Sequence, residues 1–149
     1  MASLKSRLRR HRRIALDTSV WIYPLEHHRR YHALSSTILT EVTEGRCRGI
    51  VSELTLLELL VRPLQLERQD LADEYEALLV HFPNLDLIPL NREILLRAAM
   101  LRARYALRTP DALILATAFT CGASIAVTND NAWKRVQEIE VLCLDDYIS

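Results

Sequence analysis

The stretch ASIAVTND, residues 123–130, limits the fold most sharply. Its apolar residues are small and run on without polar alternation, which marks a strand buried on both faces. It then stops at Asn129 and Asp130. Such a strand belongs inside a parallel sheet covered by helices on both sides. Similar short strands are predicted at Ile14–Leu16, which breaks at Asp17-Thr18-Ser19 (a strand end and helix cap), at about Arg48 to Val51, at LDLIPL (85–90) and at EVLCLDDY (140–147).

Helical patterns fill the intervals. Residues 31–44 repeat Ala33, Leu34, Ile38, Leu39 and Val42 at three- and four-residue spacing. ELTLLELLV (53–61) predicts about two turns of helix, stopped by Pro63. Residues 64–81 predict a longer amphipathic helix with Leu71, Tyr75, Leu78 and Leu79 on one side. NREILLRAAMLRARYAL (91–107) is apolar at Ile94, Ala98 and Leu101. TPDALILATA (109–118) starts a further helix, with Thr109 as its cap, Pro110 at the first helical position and Asp111 complementing the dipole; it ends near Gly122. Residues 131–138 are expected to be a short last helix. Strands alternating with helices give βαβ units, hence an α/β fold.

The chain has 149 residues, enough for one domain with a real core. Its apolar runs are too short to span a membrane, and its N-terminus has no apolar signal core, so a cytoplasmic location is expected. Cys47, Cys121 and Cys143 are odd in number and widely spaced, as for reduced core thiols. Net charge is zero but uneven: residues 1–13 hold Lys5, Arg7, Arg9, Arg10, Arg12 and Arg13 and no acid. Taking those 6 from 19 bases leaves 13 against 19 acids, a net −6 on the remainder. Residues 1–12 are therefore read as a basic arm, either a disordered solvated tail or a contact for a polyanion, and 13–149 as the domain.

Four carboxylates share one structural address. Asp17 ends the first strand, Glu58 lies on the helix after the second, Asp111 opens the helix leading to the fourth, and Asp130 ends the fourth. In a parallel α/β sheet these positions lie along one edge, where ligands bind. Each acid also has an ordinary explanation. Glu58 can complete a capping box with Thr55, Asp130 can cap the last helix, and Asp17 can serve a turn. Four uncompensated carboxylates together would repel, and a hard divalent cation relieves that. Oxygen ligands favour Mg²⁺ or Mn²⁺, and the lack of a His/Cys cluster argues against zinc. Carboxylate-held ions suit in-line attack of water on a phosphodiester. Thr18, Ser19 and Thr128 are placed to orient a water or a carboxylate.

Arg97, Arg104 and Arg108 fall close to one helical face and can grip RNA phosphates, with Arg108 nearest the acids and a solvated face as the alternative. His28 and His32 are four apart, but without a third ligand a zinc role is not expected. Trp21 and Tyr23 can stack on bases or fill the core. Gly45 and Gly49 make no phosphate loop.

The segments ALDTSVWIY, SELTLLELLVRP, LRARYALRTPDALILATAFTCGA and VTNDNAWKRV, followed by LCLDDY, resemble the PIN-domain family, particularly the VapC-type toxins of toxin–antitoxin pairs. The resemblance covers nearly the whole chain from about residue 13. It implies a three-layer α/β/α fold with a central parallel sheet of four to five strands. It carries the family's metal-binding acids onto Asp17, Glu58, Asp111 and Asp130, and its polar Thr/Ser onto Thr128. It implies an Mg²⁺- or Mn²⁺-dependent endoribonuclease with RNA as substrate, a homodimer, and an antitoxin partner. On their spacing alone, Arg104 and Arg108 are the residues expected to hold the RNA. Some family members place a further acid two or three residues beyond the Asp130 position. Here those residues are Ala132 and Trp133, so one metal or two stays open. The rival readings are a catalytically silent scaffold that binds RNA or protein, and a housekeeping nuclease acting on RNA or DNA.

Overall fold

The computed structural model describes residues 3–148. Five strands, β1 (Arg13–Leu16), β2 (Arg48–Ser52), β3 (Leu85–Ile88), β4 (Ile125–Thr128) and β5 (Glu140–Cys143), form one sheet in the order β3-β2-β1-β4-β5. Every pairing is parallel. The order reverses at β1, which pairs with β2 on one side and β4 on the other, and this switch point is where an open α/β sheet makes its crevice. All four residues of β4 are buried, as its small apolar run requires.

Alternation along the strands builds two cores. Ile14, Leu16, Ile125 and Val127 face a layer made of α2 (Thr18–Leu25), α3 (His32–Thr43), α4 (Glu53–Gln65) and α5 (Gln69–His81). Ala15, Ala126 and Ile50 face α6 (Arg92–Tyr105) and α7 (Thr109–Thr120). The fold is a three-layer α/β/α sandwich around a five-stranded parallel sheet. Ala112 through Ala118 of α7 are all buried, and alanines on both the helix and the strands let it lie close to the sheet. Among the described residues no helix is long and apolar enough to cross a membrane.

The basic arm is not a free tail. Residues Leu4–Leu8 form a short helix, α1, capped by Ser3, with Leu4 and Leu8 buried in the first core. Arg7 donates to Glu140, to the Tyr147 hydroxyl and to the Val141 carbonyl. Arg9 pairs with Glu41 at 3.1 Å. Leucines four apart make one apolar stripe on this turn, which the run of cations around them obscures in the sequence.

Four further expectations are corrected. Pro63 does not stop its helix, which runs on to Gln65; in the last turn the missing N–H removes only one helical bond. The next helix starts at Gln69, after Glu67 takes a left-handed turn, and Leu78 is exposed. Strand β5 ends at Cys143, and Leu144–Tyr147 is a 3₁₀ turn. Thr109 is the first residue of α7 rather than its cap; Arg108 takes the cap position without a side-chain bond.

Glu41 has a side chain only 1% exposed. Burial pushes its carboxyl up, but hydrogen bonds and charges from Arg9 and Arg46 outweigh this and hold it below the ordinary value. A lowered folded value means that the stabilisation is complete above the unfolded value and fades as pH falls through the folded one. Glu41→Gln is expected to lose about 1–3 kcal/mol at pH 7, towards the low end because both arginines are half exposed. The gap to the unaltered protein should close on acidification from pH 5 to pH 3 in urea unfolding. Leu8→Ala is expected to cost about 2–5 kcal/mol in the same assay, whereas a free tail would cost nothing.

Candidate active site

The C-terminal edge of the sheet carries a cleft of about 660 Å³ into which Asp17, Glu58, Asp111 and Asp130 all open. Asp17 follows β1 directly, and its backbone N–H still bonds to Val127 of β4 at 3.0 Å. Its carboxylate caps α2, accepting from the N–H and hydroxyl of Ser19, each at 2.5 Å. The second oxygen accepts from the Thr128 hydroxyl across the β1–β4 junction. That same Thr128 oxygen accepts from the Asp130 N–H at 3.0 Å. One buried threonine thus ties together acids that end neighbouring strands.

Glu58 is held by the other threonine. Thr18 donates to Glu58 Oε1 at 2.6 Å and lies 3.0 Å from the Thr55 hydroxyl. The expected capping box between Thr55 and Glu58 does not form, because α4 starts earlier. Ser52 is its cap and accepts from the Leu54 N–H, which leaves Thr55 buried against Thr18. Asp111 sits in the first turn of α7 and accepts from Arg108 Nε at 3.1 Å. Asp130 caps the following 3₁₀ turn, Asn131–Arg135, through the Ala132 N–H at 2.9 Å.

Burial raises the Asp17 carboxyl above its ordinary value; the Ser19 and Thr128 hydrogen bonds oppose this, and the charge of Asp111 adds to it. Tyr23, also on the cleft, is raised by burial, lowered by Asn129 and pushed up again by Asp17. Both groups sense the crowding of negative charge. The donor set is all oxygen, which suits a hard divalent cation. Among the described residues, however, no three His, Cys, Asp or Glu side chains stand close enough to share an ion. Each carboxylate is turned towards a protein donor instead, so three oxygens can meet on one cation only after side chains rotate.

Of the three arginines singled out on sequence, only Arg108 lines the cleft. Arg97 pairs with Glu93, and Arg104 with Glu138 at 2.7 Å, both on a separate groove beside Met100 and Phe119. Helix α6 ends at Tyr105 with Ala106 left-handed, and this turn takes Arg108 off the face that Arg97 and Arg104 share. The His28 ring nitrogen accepts from the Arg30 and Tyr31 N–H groups, a turn role. Trp21 is fully buried, edge-on to Phe82, while Tyr23 reaches the cleft. Sequence reasoning missed Asn129, whose amide donates to Tyr23 and whose oxygen accepts from the Asp145 N–H. Its place between Thr128 and Asp130 was the available signal.

No curated protein matches the sequence. Solved structures do match the fold. A toxin–antitoxin complex from Klebsiella pneumoniae is 20% identical, with 88% of this chain and 97% of that one aligned at a TM-score of 0.65. VapBC2 from Rickettsia felis, solved on a DNA fragment from its promoter, is 17% identical over 88% and 98%, with a TM-score of 0.66. VapC20 from Mycobacterium tuberculosis, a toxin described as cleaving the sarcin–ricin loop, is 16% identical over 76% and 86%, at 0.62. The PIN domain family profile matches residues 14–139. With most of its length inside that match, the chain belongs to the PIN domain family.

Proposed function

We propose that this chain is an endoribonuclease dependent on Mg²⁺ or Mn²⁺ and that it serves as the toxin of a toxin–antitoxin pair. The observation that carries the reading is the gathering of Asp17, Glu58, Asp111 and Asp130 at one cleft from four separate parts of the chain. The solved relatives described as toxin–antitoxin complexes, and one described as an RNA-loop-cleaving toxin, support it. A protein antitoxin, a second copy of the chain and a cytoplasmic setting belong to the same proposal.

The four acids would hold the cation, which when bound activates water and offsets charge on the phosphate. The chain's own residues prepare that site. Ser19 and Thr128 fix the orientation of Asp17. Thr18 holds Glu58 at the cleft wall. Arg108, 76% exposed, is free to leave Asp111 and meet a substrate phosphate at the mouth. The alternative, a scaffold that binds without cutting, draws on the satisfaction of every carboxylate by a protein donor.

Asp17→Asn and Asp111→Asn are each expected to abolish Mg²⁺-dependent RNA cleavage while circular dichroism shows an intact fold; full activity in either would sink the assignment. Thr128→Ala should lose about 10–100-fold in cation affinity or activity, because it removes the donor that orients Asp17. Calorimetry with Mn²⁺ separates enzyme from scaffold. Arg108→Ala should tighten Mn²⁺ binding by unmasking Asp111, yet lower the salt dependence of single-strand RNA binding by about 0.7 in logarithmic slope.

A further inference from the structure

The opposite edge of the sheet carries charge of the other sign. Arg10 and Arg12 follow α1, Arg13 opens β1, and with Gly122 and Ser124 they line a concave site of about 440 Å³. Because all strands are parallel, this site stands at strand N-termini and the acidic cleft at strand C-termini. One strand of four residues, about 13 Å, separates them. The reaction proposed above makes no use of these arginines.

The site is built by the fold. Arg13 Nη1 donates to the Cys121 carbonyl at 3.0 Å, which anchors one end of that guanidinium. Gly122 is left-handed, with φ +75°, a turn conformation that favours glycine, and the Arg13 guanidinium lies against it. The Ser124 hydroxyl is 2.7 Å from His11 Nδ1, and His11 Nε2 is 3.1 Å from Glu140. These contacts, with Arg7 on Glu140 and Arg9 on Glu41, clamp the segment that presents Arg10 and Arg12. Nearby Arg46 and Arg48 are occupied by Glu41, Glu44 and Asp86. Among the described residues Arg10, Arg12 and Arg13 form no ion pair, and no carboxylate lines the site.

We propose that this basic edge binds the backbone phosphates of a nucleic acid, at a contact remote from the acidic cleft. Guanidinium groups match phosphate oxygens in fork geometry, and these three, exposed and without a salt bridge among the described residues, are available to an anion. The lining has no aliphatic or aromatic side chain. Stable protein interfaces carry an apolar core rich in aromatic residues inside a polar rim, and this site has no such core, so a phosphate backbone fits it better than an acidic protein surface does.

The test measures binding of the full chain in EDTA, which keeps cleavage out of the readout. The probes are a labelled 30-nucleotide polyuridine RNA and a 30-base-pair DNA duplex, titrated from 50 to 250 mM KCl. Arg10→Gln/Arg12→Gln is compared with Arg29→Gln/Arg92→Gln, an equal loss of charge at exposed arginines that form no ion pair among the described residues. The first pair should lose about 10-fold in affinity for one probe, and its logarithmic salt slope should fall by about 1.4 for the RNA or 1.8 for the duplex. The second pair should stay near the unaltered protein, and melting temperatures should agree. Loss on RNA alone names a single-stranded target, and loss on the duplex alone names DNA. No loss in the first pair, or equal loss in both, overturns the proposal. A chain that binds here but cuts no RNA keeps this inference and sinks the nuclease reading.

Discussion

The parallel pairing of β1 with β4 is the constraint on which the cleft depends. Its register sets Leu16 beside Val127 and so brings Asp17 next to Thr128. A shift of one residue would turn Ile14 and Leu16 out of one core and Ala15 out of the other, so the apolar pattern holds the register firmly. Alanines at Ala15 and Ala126 serve a second purpose. They let α7 settle close to the sheet, and a close α7 brings its first turn, with Asp111, to the same edge. Packing against small residues thus fixes the position of a carboxylate that makes no contact with them.

Negative charge at the cleft is managed by distribution. Asp17 is taken up by a helix cap and a threonine, Glu58 by another threonine, Asp111 by an arginine and Asp130 by a turn N–H. These donors let a folded chain hold four acids together without a cation. The same donors compete with any cation for the oxygens. On the proposed reading, a cation would bind only where side-chain rotation exchanges these protein donors for the ion. Asp17 is the most committed of the four, being 9% exposed and bonded through both oxygens.

Much of this was legible in the sequence. The βαβ alternation, the buried β4 and the convergence of acids at strand ends all follow from local pattern plus one topological rule. What failed did so for identifiable reasons. Pro63 signals a stop in the sequence, but a proline's effect depends on how many helical bonds remain beyond it, and here the helix runs on to Gln65. The helix α1 was hidden by its cations, since two leucines in thirteen residues give no periodicity to count. Arg104 was grouped with Arg108 by spacing alone, and the left-handed Ala106 that separates them carries no glycine to announce it. The capping role given to Glu58 failed because α4 began three residues before Thr55 was needed as a cap, freeing Thr55 for a contact 37 residues away in sequence.

The zero net charge of the chain conceals two edges of opposite sign. Their separation of about 13 Å along the strands exceeds the screening length of about 8 Å at physiological salt, so neither field cancels the other at its own surface. The clamping of the basic segment by Glu41 and Glu140 is what keeps the two apart. Burying Leu4 and Leu8 spends apolar surface on holding the segment's cations at the far edge, where Arg10, Arg12 and Arg13 line the basic site without a salt bridge among the described residues. The short helix at the N-terminus is therefore part of the first core and also the mount that holds the basic edge at the strand N-termini.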